Sequence, residues 1–367
     1  MTRTSVAPTS LLEFARESDP VLRALLEEKV SAAAKLPVDL TPAFGALRDY
    51  VLRGGKRLRG ALCLLGCAAG GGARHEAFTA AIGLELFHAY LLVHDDFMDR
   101  DEERRGGPTL HVSFARPEGV TRAAKTVSDV SVATASAHAA GSLAILFGSL
   151  CQAWALEQIL AAPVAPPRAL AASRLVARAL AEVTLGQALD VAAPLAHSLA
   201  RDAALRIEEL KTGSYTFALP LELGALLAGA SDATRGALAN YALPLGKAFQ
   251  IADDLLGTFG APEQTGKSAG NDLREGKRTL LVLHALEFAT PADRALLLSG
   301  LGKHDLDEAG IEALRGVLRR SGAEEFARAE SERLCAQAEA ALESKSIPTA
   351  VGAELRAIAR YSVRRAS

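Results

Sequence analysis

The sequence predicts an all-α fold. Apolar residues make up 49% of the chain but aromatic residues only 5%, and alanine and leucine predominate over the β-branched residues that favour strands. Apolar positions recur with helical spacing along most of the chain, and glycine or proline marks the short interruptions. Because no repeat of fixed period and no long linker divides the 367 residues, we expect a flexible tail over 1–9 and one all-α domain over 10–367.

Helical periodicity is clearest in five stretches of the chain. In order, they are 11–30, 77–94, 170–192, 233–256 and 278–289. The expected breaks are Gly54-Gly55, the glycines at 70–72, Gly106-Gly107-Pro108, the prolines between 163 and 167, and residues 260–270. The longest stretch without a helical pattern, 101–130, directly follows a dense cluster of aspartates, which makes that cluster the first candidate site.

Composition and charge exclude several classes of protein. The chain has 43 acidic and 41 basic residues, so no overall field favours nucleic acid or anionic lipid. Its four cysteines are too few for a disulfide framework, and we expect reduced core thiols. The N-terminus lacks the apolar segment of a secretion signal. Polar residues interrupt the longest uncharged run, 139–156, so we expect a buried helix there and a soluble, cytoplasmic protein without stable membrane insertion.

Two pairs of adjacent aspartates, Asp95-Asp96 and Asp253-Asp254, are the only such pairs in the sequence. Each pair ends an apolar helical stretch, where the helix dipole disfavours carboxylates, so a purely structural role would favour lysine or arginine. Asp95 and Asp99 are four positions apart and therefore share a helix face. If the two helices face each other, the carboxylates suit magnesium and substrate phosphates. The alternative is that both pairs are solvated helix ends.

Basic residues lie near both aspartate pairs. They are Lys56, Arg57 and Arg59 in GGKRLRG, Arg104 and Arg105 after the first pair, Lys211 in KTGSYTF, and Lys267 and Lys277 after the second pair. Any one of these cations alone is more often a solvated charge than a ligand. Together with the carboxylates, they indicate a metal that bridges anionic groups, with arginine forks on the remaining phosphate oxygens.

Seven motifs occur in an order that resembles one known family. They are GGKRLR, ELFH, HDDxMD followed by RRGGPT, GQxLD, KTGSYTF, AFQIADDLLG and GKxxGxDLxxGKRT. Between about residues 45 and 285, the chain resembles the trans-isoprenyl diphosphate synthases (polyprenyl synthetases), and among them most closely the bacterial geranylgeranyl diphosphate synthases. The resemblance implies a single bundle of about a dozen helices around a deep apolar cavity, in a homodimer.

The resemblance also implies roles for individual residues. The implied magnesium ligands, in a trinuclear cluster with the allylic diphosphate, are Asp95, Asp96, Asp99 and Asp253, and Asp254 completes the second motif. The implied contacts to the allylic diphosphate are Arg104, Lys211, Thr212, Gln250 and Lys267, with Lys277 as a further substrate contact. The implied site for isopentenyl diphosphate consists of Lys56, Arg59, His88 and Arg105.

The reaction implied by the resemblance is a head-to-tail condensation of isopentenyl diphosphate with an allylic diphosphate. Metal and cations stabilise the departing pyrophosphate. The isopentenyl double bond then attacks the resulting carbocation, and a proton is lost. Since water would quench the cation, the cavity must be apolar and closed.

Product length is predicted from the residues that precede the first motif. In the family, the residue five positions before the first aspartate often limits chain length; here it is Tyr90, with Leu91 beside it and Phe87 one turn deeper. At about 1.5 Å rise per residue, Tyr90 lies roughly 7.5 Å below Asp95. We expect the C20 product geranylgeranyl diphosphate, with C15 farnesyl diphosphate as the alternative. The structural alternative is that these aromatic residues only fill the core.

Three positions depart from the family pattern. Gly257 stands where many members have the third aspartate of the second motif, Ser149 replaces a common aspartate, and Gly60 replaces a frequent proline. We expect activity to be retained with altered magnesium affinity, and a looser helix start at Gly60.

Three other functions fit part of the pattern. A terpene cyclase is disfavoured because the second motif reads DDLLGTFGA and because a cyclase needs no second diphosphate site. A P-loop nucleotidase is excluded because five residues, rather than four, separate Gly260 from Gly266. A non-catalytic partner subunit of a heteromeric synthase stays open as an alternative, although the first motif keeps all three aspartates.

Overall fold

Helices dominate the structure, a computed structural model that describes residues 7–116, 130–193, 203, 206–207, 209–260 and 270–363. Within these residues, the chain forms sixteen helical segments and one two-stranded hairpin. The predicted all-α fold class is therefore confirmed, with more helical segments than the predicted dozen.

Five of these helical segments coincide with the five stretches predicted from periodicity. In chain order, the elements are α1 (Thr9–Ala33), α2 (Thr41–Leu52), α3 (Leu58–Ala69), α4 (Arg74–Met98), β1 (Glu103–Arg104), β2 (Gly107–Pro108), α5 (Leu110–Ala115), α6 (Val130–Leu160), α7 (Pro166–Ala192), α8 (Glu209–Ala218), α9 (Leu219–Ala228), α10 (Asp232–Phe259), α11 (Asn271–Glu275), α12 (Leu280–Phe288), α13 (Pro291–Gly300), α14 (Glu308–Arg320), α15 (Ala323–Ala341) and α16 (Thr349–Val363). The α8 segment is a π-helix. The first helix begins inside the predicted tail, at Thr9.

Side-chain caps fix the start of α10, which contains the second aspartate pair, and the start of α12. Ser231 Oγ accepts the N–H of Thr234 at the start of α10. Thr279 Oγ1 accepts the N–H of Val282 at the start of α12. A cap of this kind contributes about 1 kcal/mol of stability because it satisfies an N–H that has no partner inside the helix. The sequence thus sets where both helices begin.

Contacts between Cα atoms divide the chain into two compact units. The first unit comprises residues 10–61 and 78–163, and the second comprises 1–9, 62–77 and 164–367, apart from the segments outside the described residues. Two of the four boundaries fall inside α3 and α4, one falls after the first residue of α1, and one lies between α6 and α7. The single domain expected over 10–367 stays a prediction.

In the first unit, Gly60 allows close packing around α1. Phe14 is fully buried and packs edge-on against Phe78, with 6.1 Å between the ring centroids. A Cβ atom at Gly60 would lie only 2.1 Å from the Phe14 ring. The Gly60 N–H also donates to Glu85 Oε1 at 2.9 Å, a bond that proline could not make. The expectation of a looser helix start is therefore wrong, because Gly60 makes this start tighter.

In the second unit, α10 packs against α8, α9 and α15. Glycine again permits close approach, since a Cβ atom at Gly246 would lie 2.8 Å from the carbonyl oxygen of Gly213. A Cβ atom at Gly224 would lie 1.8 Å from the carbonyl oxygen of Cys63. All four cysteines are buried, and burial raises the pKa of Cys67 to about 11, as expected of core thiols.

Two helical segments are long and apolar enough to span a membrane, Arg74–Met98 and Ala137–Leu160. The most apolar window is 67% buried in the former and 44% buried in the latter. Leu146 and Leu160 are 60% and 58% exposed, so α6 is only partly the buried helix that the sequence predicts. Ser149 is exposed and donates to the Ile145 carbonyl of the same helix, and nothing in the structure explains why it replaces an aspartate.

Candidate active site

The first aspartate motif lies at the C-terminal end of α4, in the first unit. Asp95 and Asp99 are half-buried, whereas Asp96 is fully buried. Both Asp96 oxygens accept hydrogen bonds within the protein: the Tyr50 hydroxyl donates to Oδ2 at 2.6 Å, and Arg104 Nε donates to Oδ1. Adjacent aspartates therefore have different environments, with Asp95 partly accessible and Asp96 enclosed.

The β1–β2 hairpin places Arg104 beside this motif. Its two turn residues, Arg105-Gly106, have φ values of +53° and +70°, as a type I′ turn requires. Arg104 Nη2 lies 3.5 Å from Asp95 Oδ2 and 3.4 Å from Asp101 Oδ2. Burial lowers the pKa of Arg104, but the surrounding carboxylates, above all Asp96, raise it overall. The guanidinium therefore stays charged.

Helix α2 supports both the motif and the hairpin. Tyr50 is 5% exposed, and burial, followed by the charge of Asp96, raises the pKa of its hydroxyl well above 10. The hydroxyl therefore stays protonated and donates. Arg53 Nη1 donates to the Pro108 carbonyl at 2.8 Å, and a Cβ atom at Gly107 would lie 2.5 Å from the Arg53 guanidinium. Glycine at 107 thus lets Arg53 reach the hairpin.

The loop before α3 separates its cations by burial. Lys56 is exposed, whereas Arg57 is 5% exposed. Arg57 Nε donates to Asp19 Oδ1 at 2.8 Å, and Arg57 Nη1 lies 3.8 Å from Glu85 Oε2. Arg57 therefore holds the loop in place, while Lys56 faces solvent.

Three residues predicted to bind isopentenyl diphosphate interact electrostatically in the first unit. Burial lowers the pKa of His88 well below its usual value, and the charges of Arg59 and Arg105 lower it further. Arg105 Nη1 also donates to the carbonyl of Gly54 at 3.0 Å. Gly54 lies two residues before Lys56 in the sequence. The charges of Arg59 and Arg105 thus act on His88, which is neutral at pH 7.

The predicted chain-length residues form an aromatic layer on α4. Phe87 is fully buried and Tyr90 is 8% exposed, with 5.8 Å between their ring centroids. Tyr90 also packs edge-on against His94, with 4.7 Å between the ring centroids. Leu91 is half-buried. These residues lie within about two turns of the first motif, and their role in product length stays a prediction.

The second aspartate motif lies near the end of α10, in the second unit. Asp254 is 5% exposed, whereas Asp253 is half-buried. Gln250 Nε2 donates to Asp254 Oδ1 at 2.7 Å, as their spacing of one helical turn permits. In each pair, the first aspartate is thus the more accessible, and a neighbouring side chain holds the second.

Lys211 lies in the π-helix α8, a type of segment that often marks functional sites. Its Nζ donates to Oδ2 of Asp190 at 2.6 Å. Asp190 is the last residue of the GQALD motif. Gly186, the first residue of the same motif, lets α7 approach α8 closely, because a Cβ atom there would lie 2.5 Å from the Lys211 backbone nitrogen. The side chain of Thr212 and all of Lys267 lie outside the described residues.

A carboxylate lies beside Gly257, although that residue itself has none. A Cβ atom at Gly257 would lie 2.6 Å from Asp272 Oδ2, and Gly257 follows Asp253 by one helical turn. Lys277 Nζ lies 3.8 Å from Asp272 Oδ1 and 2.7 Å from Glu275 Oε2. The Asp272 carboxylate therefore occupies the space that a side chain at 257 would fill.

A cavity of about 490 Å³ lies next to the second motif, within the second unit. Its wall mixes apolar and charged side chains from α8, α10, α12 and α15: Glu209, Gly213, Leu243, Pro244, Gly246, Lys247, Gln250, Ile251, Leu280, Phe326, Glu330, Arg333, Leu334 and Gln337. Gln250, which holds Asp254, is part of this wall. The deep apolar cavity implied by the resemblance stays a prediction.

The donor set suits magnesium that binds together with a diphosphate. Among the described residues, no three histidine, cysteine or carboxylate side chains are grouped to hold a metal ion by themselves. Magnesium usually takes only one or two protein carboxylates and completes its shell with water and substrate phosphates. Asp95, Asp99 and Asp253 are accessible enough to supply them. Asp96, which is hydrogen-bonded on both oxygens, is better placed to hold Arg104.

Four residues with clear roles in this geometry were not predicted as site residues: Tyr50, Glu85, Asp190 and Asp272. Three of them had a signal, because Glu85 opens ELFH, Asp190 ends GQALD, and Asp272 lies in the GNDL segment. Tyr50 had none, since its partner Asp96 is 46 positions away.

Aspartate pairs at helix ends, flanked by lysine and arginine on an all-α scaffold, are the arrangement expected of an α-helical prenyltransferase. Residues 42–317 match the family model for polyprenyl synthetase, and the chain belongs to that family. The family predicted from the motifs is therefore confirmed.

The known relatives include both farnesyl and geranylgeranyl synthases. The (2E,6E)-farnesyl diphosphate synthase of Mycobacterium tuberculosis is 34% identical over 314 residues, covering 85% of this chain and 80% of that protein. The geranylgeranyl diphosphate synthase of Methanosarcina mazei is 34% identical over 265 residues, covering 72% of each. A crystal structure of geranylgeranyl pyrophosphate synthase from Corynebacterium glutamicum, complexed with isoprenyl diphosphate and magnesium, matches with a TM-score of 0.89 and 32% identity over 96% of this chain and 99% of that one.

Proposed function

We propose that the protein condenses isopentenyl diphosphate with an allylic diphosphate, head to tail and in trans, to give geranylgeranyl diphosphate and pyrophosphate. The observation that carries this proposal is the shared arrangement at the ends of α4 and α10, where an accessible aspartate precedes an enclosed one. Carboxylates at helix C-termini are unfavourable on their own. A bound cation offsets that cost, and magnesium with a diphosphate is the cation chemistry that fits the donor set.

In the first unit, we assign Asp95 and Asp99 to magnesium and Arg104 to the allylic diphosphate. Arg104 stays charged because carboxylates surround it, so it stabilises the negative charge that develops on the leaving diphosphate. Magnesium, when bound, adds to this neutralisation and makes the diphosphate a better leaving group. The residues assigned to isopentenyl diphosphate are Lys56, Arg59, His88 and Arg105.

In the second unit, we assign Asp253 to magnesium, and Lys211 and Lys267 to diphosphate contacts. The further contacts assigned there are Thr212, Gln250 and Lys277. Asp190 holds the Lys211 ammonium at 2.6 Å, and Asp272 provides a carboxylate beside Gly257. This carboxylate favours an active enzyme over a non-catalytic partner subunit, since the replaced aspartate has a substitute nearby.

The reaction needs only polar groups at the diphosphates and apolar surface elsewhere. The allylic C–O bond breaks and both electrons leave with the diphosphate. The isopentenyl double bond then forms the new C–C bond, and the proton released from the isopentenyl unit passes to the pyrophosphate. Neutral His88 donates a hydrogen bond from a ring N–H to the substrate without adding charge. Aliphatic helices exclude water from the cation.

A C20 product is favoured by the aromatic layer of Phe87 and Tyr90 on α4. Two large buried rings below the first motif limit how far a growing apolar chain extends. The C15 product is the second candidate, because a relative of this chain at 34% identity is a farnesyl diphosphate synthase. Both products use the same diphosphate chemistry and differ only in the depth available beyond the motif.

We also propose a cytoplasmic homodimer without stable membrane insertion. The exposed Leu146 and Leu160 on α6 provide apolar surface that a second copy would cover. Balanced charge gives no reason to expect a nucleic-acid partner.

The purified chain alone tests the proposed activity. With labelled isopentenyl diphosphate, an allylic diphosphate and magnesium, we expect condensation that stops on addition of EDTA and returns with excess magnesium. A chain that shows no turnover alone but supports turnover by another subunit would overturn the proposal in favour of the partner-subunit alternative.

A further inference from the structure

Tyr50 begins a buried chain of hydrogen bonds that ends at Arg104. Its hydroxyl donates to Asp96 Oδ2 at 2.6 Å, and the other oxygen of the same carboxylate accepts from Arg104 Nε. Tyr50 is 5% exposed and Asp96 is fully buried, so water does not compete for these bonds. The chain connects α2, the end of α4 and the β1–β2 hairpin, all within the first unit.

This arrangement fixes the orientation of the Arg104 guanidinium. A carboxylate held on one oxygen by a phenol cannot rotate freely, so its other oxygen meets Nε in one direction only. Nη2 lies within 3.5 Å of Asp95 Oδ2. Nη1 has no hydrogen bond within the part of the chain that the structure describes, which leaves it available as a donor to an anion. A guanidinium whose plane is fixed in this way presents the Nη1 N–H groups to a phosphate oxygen in one direction.

We propose that Tyr50 is a positioning residue for diphosphate binding, acting through Asp96 to hold Arg104 in its binding orientation. This inference rests on the proposed function in one respect, namely that Arg104 contacts a diphosphate. Tyr50 itself touches no substrate. Tyr50 restricts the Arg104 side chain before the diphosphate binds, so less conformational entropy is lost on binding.

The variant Tyr50→Phe tests this inference, because it removes a single oxygen atom and keeps the ring. The probe is inorganic pyrophosphate in the presence of magnesium, with the dissociation constant measured by calorimetry on the whole chain. We expect binding to weaken about tenfold, the loss that corresponds to one hydrogen bond to a charged group. In turnover, the KM for the allylic diphosphate should rise by a similar factor, while the KM for isopentenyl diphosphate stays within about twofold.

Tyr241→Phe is the matched control. Tyr241, like Tyr50, is a buried tyrosine, and its hydroxyl donates to the Leu355 carbonyl at 2.7 Å, in the second unit. Removing that hydroxyl should lower the thermal midpoint and leave pyrophosphate affinity unchanged. If the two variants weaken pyrophosphate binding equally, Tyr50 acts only through general stability and the inference is overturned.

A double variant tests the path through Arg104. Arg104→Lys removes the fork that Asp96 orients, so adding Tyr50→Phe to it should change pyrophosphate affinity by less than about twofold. Effects of the two substitutions that multiply would overturn the inference. If Tyr50→Phe does not fold, Asp96→Asn weakens both bonds of the chain, because it removes the charge and leaves one oxygen to accept from two donors. It should give the same loss of affinity, and unchanged binding in that variant would also overturn the inference.

The wild-type protein separates this inference from the proposed function. Wild-type turnover together with unchanged affinity in Tyr50→Phe overturns the role of Tyr50 alone. A wild-type chain that neither binds pyrophosphate with magnesium nor turns over overturns both.

Discussion

Replacing Asp96 with alanine should destabilise the first unit far more than replacing its neighbour Asp95. Asp96 is fully buried and hydrogen-bonded to Tyr50 and Arg104, and the Arg104 side chain is only 16% exposed. Asp96→Ala leaves an enclosed guanidinium without its main partner. Breaking a buried ion pair in this way costs about 3–5 kcal/mol of folding free energy.

Asp95→Ala is the matched variant for this comparison. Asp95 is half-buried, its contact with Arg104 is 3.5 Å long, and a carboxylate at a helix C-terminus is itself unfavourable. The free energy of unfolding should therefore stay within about 1 kcal/mol of the wild-type value. Condensation should nevertheless be lost, because Asp95 is assigned to magnesium.

Urea denaturation followed by tryptophan fluorescence measures this difference. The chain has one tryptophan, Trp154, which packs 6.3 Å from Phe44 in the first unit and so reports on the unit that contains both aspartates. Equal losses of stability in the two variants would refute the reasoning. So would an Asp95→Ala protein that keeps normal turnover.

Three further predictions concern product length, metal affinity and pH. Tyr90→Ala should lengthen the product, as chromatography of the dephosphorylated alcohols would show. An unchanged product length would contradict the role of Tyr90 in limiting chain length. Gly257→Ala should displace Asp272 and raise the magnesium concentration for half-maximal activity about tenfold. Gly236→Ala, on the same helix with open space around its Cβ, should have no such effect, and equal effects would contradict the assignment. Because burial depresses the pKa of folded His88 below 6.5, the unfolded state takes up the proton first as pH falls through 6.5, so stability should decrease from there. His88→Gln should reduce that decrease, and denaturation curves with an unchanged pH dependence would contradict it.

The helices could be predicted because their signal is local. Apolar residues at helical spacing identified α1, α4, α7, α10 and α12 with nearly correct ends. The hairpin after α4 was not predicted, since strands of two residues are too short to show alternation. The only sequence signal for its turn, Arg105-Gly106, was the glycine, because glycine readily adopts a left-handed backbone conformation.

Gly60 shows where a pattern taken from other proteins fails. The absence of proline suggested a looser helix start, but the space at this position depends on the Phe14 ring and the Glu85 carboxylate. Neither neighbour is close to Gly60 in sequence, so the sequence alone offered no way to know that proline would not fit.

The candidate site could be predicted as a set of motifs but not as an arrangement of partners. Adjacent aspartates in DD look equivalent in the sequence, yet Asp96 is enclosed and Asp95 is not. Arg57 and Lys56 look equally basic, yet Asp19 and Glu85 hold the arginine inside. These differences arise from contacts between residues far apart in the chain, which no local pattern encodes.

Product analysis of the purified protein tests the central claim most directly. Labelled isopentenyl diphosphate would be supplied with magnesium and, in separate reactions, the C5, C10 or C15 allylic diphosphate. The assigned site predicts a C20 product that disappears with EDTA. A C15 product would keep the chemistry and move the chain-length limit away from Tyr90. No condensation with any of the three starters, by a protein that is folded and supplied with magnesium, would contradict the claim that the protein is a prenyl diphosphate synthase.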